Sequence, residues 1–68
     1  MSLADFHERY ELIMRDEPSE DRDRNLSSLM DEIKAAFGVP LMQDHEWERE
    51  NKAVIALYRM VANSRTTI

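Results

Sequence analysis

The sequence predicts an all-α fold, a small up-down-up bundle of three helices completed by homodimerisation, on three observations. Apolar residues recur at helical spacing in three segments, Pro18 and the Gly38–Pro40 stretch punctuate them, and links of roughly four to six residues make neighbouring helices antiparallel. No segment alternates with period two, and there is no internal repeat or low-complexity tract.

The first helix is expected over about residues 3–15. Leu3, Phe6, Tyr10 and Ile13 fall on one stripe, Ser2 is placed as N-cap, and Asp5 three residues on can close a capping box. Pro18 ends the segment because its ring disfavours helical geometry in the residue before it.

The second helix is expected over 19–37. Ser19 can cap it, with Glu20 and Asp21 in the first turn where the positive end of the macrodipole favours carboxylates. Its apolar stripe, Leu26, Leu29, Met30, Ile33 and Phe37, begins late. The nearly all-charged turns through Arg24 are therefore expected to project beyond the core or fray. Gly38 supplies a left-handed stop, Val39 can fold back as its hydrophobic contact, and Pro40 prevents continuation.

The third helix is expected over 43–63, with Trp47, Val54, Leu57, Tyr58 and Val61 on one face and a contact between Met42 and Trp47 across its start. Asp44, Glu46, Glu48 and Glu50 precede Lys52, Arg59 and Arg65, an order that complements the macrodipole. Residues 65–68 read as a loose tail. The whole of 1–68 is taken as one helical domain.

With 68 residues and 8.0 kDa, the chain is too short for a multi-domain enzyme. A core this small usually needs a staple, and without cysteine neither a disulfide nor a thiolate metal site supplies one. A second subunit is the remaining staple. Helix three carries Ile55 and Met60 outside its main stripe, and helix one carries Met14 outside the stripe ending at Ile13. These three, with Tyr58, are the expected partner or dimer interface. Large rings and thioethers serve interfaces, although the spacing of Tyr10, Trp47 and Tyr58 suits a core equally.

Fourteen acids against nine bases give a net charge of −5, which repels phosphates and disfavours nucleic acid. No apolar run is long enough to span a bilayer. The opening MSLADFHERY has acids where a secretory signal needs a positive and then an apolar region, so a cytoplasmic location is expected.

The residues offer little for catalysis. His7 and His45 lack the spacing of a zinc-binding helix, since no second histidine stands four residues after His45. Carboxylate pairs such as Glu8 with Glu11 or Glu46 with Glu50 share helical faces but lack a dry pocket to split their environments. Ser27, Ser28 and Ser64 sit on no sharp strand-to-helix turn, and one glycine cannot build a phosphate-cradling loop. No catalytic residue, cofactor, metal or small-molecule substrate is expected. The stretch from Met30 to Pro40 resembles the first helix and turn of a helix-turn-helix DNA reader, yet the next helical segment opens with acids. The expected role is a small cytosolic protein-interaction or regulatory module, binding itself or another protein. The alternative is a nucleic-acid-binding regulator with a degenerate helix-turn-helix around residues 30–50.

Overall fold

A computed structural model of the chain describes residues 2–65. Among them lie four helices and no strand: α1 (Leu3–Met14), α2 (Glu20–Phe37), α3 (His45–Glu50) and α4 (Lys52–Asn63). The all-α class is thereby established. None of these helices is long and apolar enough to cross a membrane.

α1 begins with the capping box. The Ser2 hydroxyl accepts from the Asp5 N–H at 3.3 Å, and the Asp5 carboxylate accepts from the Ser2 N–H at 3.0 Å. The Ser2 backbone N–H, followed by its hydroxyl, holds the Asp5 carboxyl below the usual carboxylate range. Bonds from the Arg15 and Asp16 N–H groups to Leu12 and Ile13 tighten the last turn before Pro18.

α2 starts after Ser19, whose hydroxyl accepts from the Arg22 N–H at 3.1 Å. It ends at Gly38, with φ 69° and ψ 41°, where the N–H groups of Gly38 and Val39 both donate to the Lys34 carbonyl. This pair of hydrogen bonds folds Val39 back into the core, as the stop signal predicts.

The charged opening of α2 departs from expectation in part: Glu20, Asp21 and Arg24 are exposed, but the segment is helical from Glu20 and two of its charged residues turn inward. Arg22 is only 7% exposed and Asp23 is buried beside it. The Arg22 guanidinium donates to the Asp16 carbonyl at 3.3 Å and the Ser64 carbonyl at 3.4 Å. The α1–α2 turn and the C-terminal end of α4 converge on this cation, so the turn is clamped by contacts that no local pattern encodes.

The expected third helix is broken at Asn51, which leaves helical geometry with φ −129° and ψ 46°. Its side-chain amide donates to the Trp47 carbonyl at 2.9 Å, ending α3, while its own carbonyl accepts from the Ile55 N–H and starts α4. Asparagine suits this place because its amide competes for backbone groups that a continuous helix would claim. The Glu48 carboxylate and the Arg59 guanidinium pair across the break.

The contact between Met42 and Trp47 does not form in the expected sense, since Met42 is 83% exposed and Leu41 86%. Asp44 instead caps α3 by accepting from the Trp47 N–H at 3.0 Å, and Trp47 packs half-buried against the core while the Leu41–Met42 loop stands in solvent. Arg65 is tied rather than loose, with its guanidinium 3.4 Å from the Ser27 hydroxyl. Residues 66–68 of the expected tail lie outside the described residues.

The core gathers Phe6 from α1, Leu26, Leu29 and Ile33 from α2, Val39 beyond its stop, and Val54, Leu57 and Val61 from α4. α2 lies against both α1 and α4, α3 packs on α4, and α1 meets α4 sparsely. Phe6 and Phe37 stack edge to face at 5.7 Å. Over the Phe6 ring Arg9 forks onto Glu32 at 2.9 and 2.5 Å, which lowers the Glu32 carboxyl and raises the Arg9 guanidinium from their ordinary values.

Candidate interaction surface

Sparse packing between α1 and α4 leaves an open groove of about 590 Å³ along their seam. Its α1 wall is Leu3, Ala4 and His7, set in place by the Ser2–Asp5 cap one turn earlier and by Phe6 inserted in the core. Its α4 wall is Ala53, Ala56 and Met60, with Leu57 buried as the floor. The small side chains of Ala4, Ala53 and Ala56 explain the width: helices spaced by Phe6 and Leu57 below have little above to fill the gap.

At one end a polar chain closes the groove. The Tyr10 hydroxyl donates to the Ser64 hydroxyl at 2.6 Å, and Ser64 donates onward to the Met60 carbonyl at 2.8 Å. This joins the later part of α1 to the cap of α4. The lining residues precede the contact on both helices, so α1 and α4 run in the same direction.

Exposed charges stand on both helices outside the groove lining. On α1, Glu8 stands one turn beyond Ala4 and Glu11 one turn beyond His7, whose Nδ1 lies 3.1 Å from the Glu11 carboxylate. On α4, Lys52 and Arg59 flank Ala56 at four and three residues. All four are exposed. None of the four lines the groove, and Arg59 is paired with Glu48.

Of the four residues expected to form an interface, Met60 lines the groove and is 36% exposed. Met14, Ile55 and Tyr58 are half-buried and packed against the core. Ile55 and Tyr58 leave α4 on the side of the buried stripe away from Ala53, Ala56 and Met60, so the structure does not bring the four together. Leu3 belongs to the apolar stripe expected for the first helix, whereas Ala4, His7, Ala53 and Ala56 escape a search for such stripes, because alanine and histidine add little to one. The signal available was Ala53, Ala56 and Met60 at spacings of three and four beside Leu57.

A smaller hollow of about 310 Å³ lies between α1 and α2, lined by Arg9, Leu12, Ile13, Asn25 and Ser28. Among the described residues no three histidine or acidic side chains converge as metal ligands. The segment corresponding to a DNA-reading helix is the six-residue α3, carrying Glu46, Glu48 and Glu50. Comparison of the chain with protein-family models, curated proteins and solved structures finds no match.

Proposed function

We propose that the chain is a small cytoplasmic protein-interaction module without catalytic activity. In this reading α1, α2 and α4 form an up-down-up three-helix bundle that presents the α1–α4 groove to a partner protein. One observation carries it: an open groove lined almost wholly by apolar side chains, where an unfilled apolar concavity favours a partner that takes it out of water. Its volume would also suit a small ligand. Such ligands are held by several convergent polar groups, however, and here His7 is the one polar side chain in the lining. Of the expected interface residues, Met60 enters this surface directly. The nucleic-acid alternative draws no support from α3, whose acids oppose phosphate, and an electrophoretic shift at low salt addresses it.

The test is a photo-crosslinking amino acid at position 60, compared in cells with the same group at Glu20, an exposed position on α2. Protein adducts from position 60 and none from position 20 are expected. An absence of protein adducts at position 60 would overturn the reading.

A further inference from the structure

We infer that α3 is a hinged flap at the start of α4: beside the bent chain there is a second, less populated state in which residues 45–63 form one straight helix, with Asn51 as the hinge and the Glu48–Arg59 pair as the latch.

Two backbone arrangements compete at Asn51. A continuous helix would send the Asn51 N–H to the Trp47 carbonyl, and the Lys52, Ala53 and Val54 N–H groups to the carbonyls of Glu48, Arg49 and Glu50. In the bent chain the Asn51 side-chain amide takes the Trp47 carbonyl at 2.9 Å, the Asn51 N–H donates to the Glu48 carbonyl at 3.3 Å, and no side chain caps the start of α4. Straightening therefore returns hydrogen bonds to the first turn of α4 and gives up one side-chain bond. Residues 45–63 contain neither glycine nor proline, so nothing else in the segment opposes a single helix.

The latch belongs to the bent state alone. In a straight helix Glu48 and Arg59 stand about 16 Å apart along the axis, further than their side chains together span. The Glu48 side chain would also lean toward the helix start, away from Arg59. Their pairing therefore marks a chain folded back on itself. Little else holds α3 closed. None of its residues is fully buried, among the helices it touches only α4, and Trp47 packs half-buried against the core. The ion pair is a weak one, since Arg59 is about half exposed.

The preceding loop leaves the flap room to move. Val39 is anchored in the core, and the segment from Pro40 to Asp44 that follows it stretches to about 20 Å. In a straight helix His45 lies about 13 Å beyond Val54, within that reach. Leu41 and Met42 are 86% and 83% exposed, so no packing of theirs resists the motion. Straightening lifts Trp47 from the core and opens the apolar surface beneath it.

The chain has no cysteine and one tryptophan, so introduced spin labels and the native ring both report without ambiguity. Nitroxides at Glu46→Cys and Asn63→Cys, both exposed positions, give the distance across the hinge by pulsed EPR. With the wild-type hinge it is expected to fall well short of the about 25 Å that a straight helix sets. Asn51→Ala with Glu48→Arg is expected to move it to about 25 Å, to raise helical circular dichroism and to increase acrylamide quenching of Trp47. Adding Arg59→Glu re-forms the pair with its charges exchanged and is expected to bring the short distance back. Should the double variant lose its cooperative urea melt, Glu48→Arg alone makes the same comparison against Glu48→Arg with Arg59→Glu. A distance and a quenching that stay as in the wild type would overturn the hinge. Quenching that rises while helicity falls would show α3 fraying, and would overturn the straight state.

Discussion

Gly38 and Arg22 show two ways in which one residue fixes this fold. At Gly38 the requirement is local: φ of 69° is a left-handed conformation, and an added Cβ would meet no atom within 4 Å. The cost of Gly38→Ala is therefore backbone strain alone, expected at about 1 kcal/mol in urea melts, with Gly38→Asn costing less because asparagine visits that region more readily. A Gly38→Ala chain as stable as wild type would contradict the cap. Glycine followed by Val39 and Pro40 made this stop legible in the sequence. Arg22 was not legible. Its partners are the carbonyls of Asp16 and Ser64, 6 and 42 positions away, and its buried Nε has no hydrogen-bond partner among the described residues. In sequence it is one charge among several in a polar turn, and only the meeting of the α1–α2 turn with the end of α4 turns it into a clamp.

Elements defined by local chemistry were legible, and the element defined by a competition was not. α1 and α2 end within a residue of their expected bounds because Ser2, Ser19, Pro18 and Gly38 act on their own neighbours. The break at Asn51 depends on whether its amide bonds the Trp47 carbonyl or yields to helix continuation. The available sign was the lack of a large apolar residue between Trp47 and Val54, which left that stretch without a periodic constraint. The start of α1 and its pairing to α2 also carry a pH dependence. The Asp5 and Glu32 carboxyls lie below their ordinary values of 3.8 and 4.5, held there by Ser2 and by Arg9 respectively. Both bind protons more weakly folded than unfolded, so their stabilisation is complete above the ordinary values and is lost as pH falls through the lower folded ones. Both are exposed, so solvent screening keeps the effect small. The urea midpoint is expected to drop as pH falls through and below those ordinary values, and Asp5→Asn with Glu32→Gln to flatten that slope. An unchanged slope in the double variant would show that these two bonds do not act in solution.

For the whole molecule, the helical class was legible because periodicity reports burial, but the groove was not, because it is made by what is missing between α1 and α4. Ala4, Ala53 and Ala56 are ordinary helix formers in sequence and become a surface only once Phe6 and Leu57 fix the helix spacing. Met60 was marked by its place off the main stripe, while Met14, Ile55 and Tyr58 rest against the core at the edges of the buried stripes. The methionines provide internal probes of this difference, since Met60 lines the groove, Met14 packs on the core and Met42 stands in a solvent-exposed loop. Their methyl resonances can be followed by NMR as a water-soluble nitroxide is added, which broadens the nuclei that solvent reaches. The Met60 and Met42 methyls are expected to broaden strongly and the Met14 methyl much less. A Met60 methyl as protected as that of Met14 would contradict an open groove between α1 and α4.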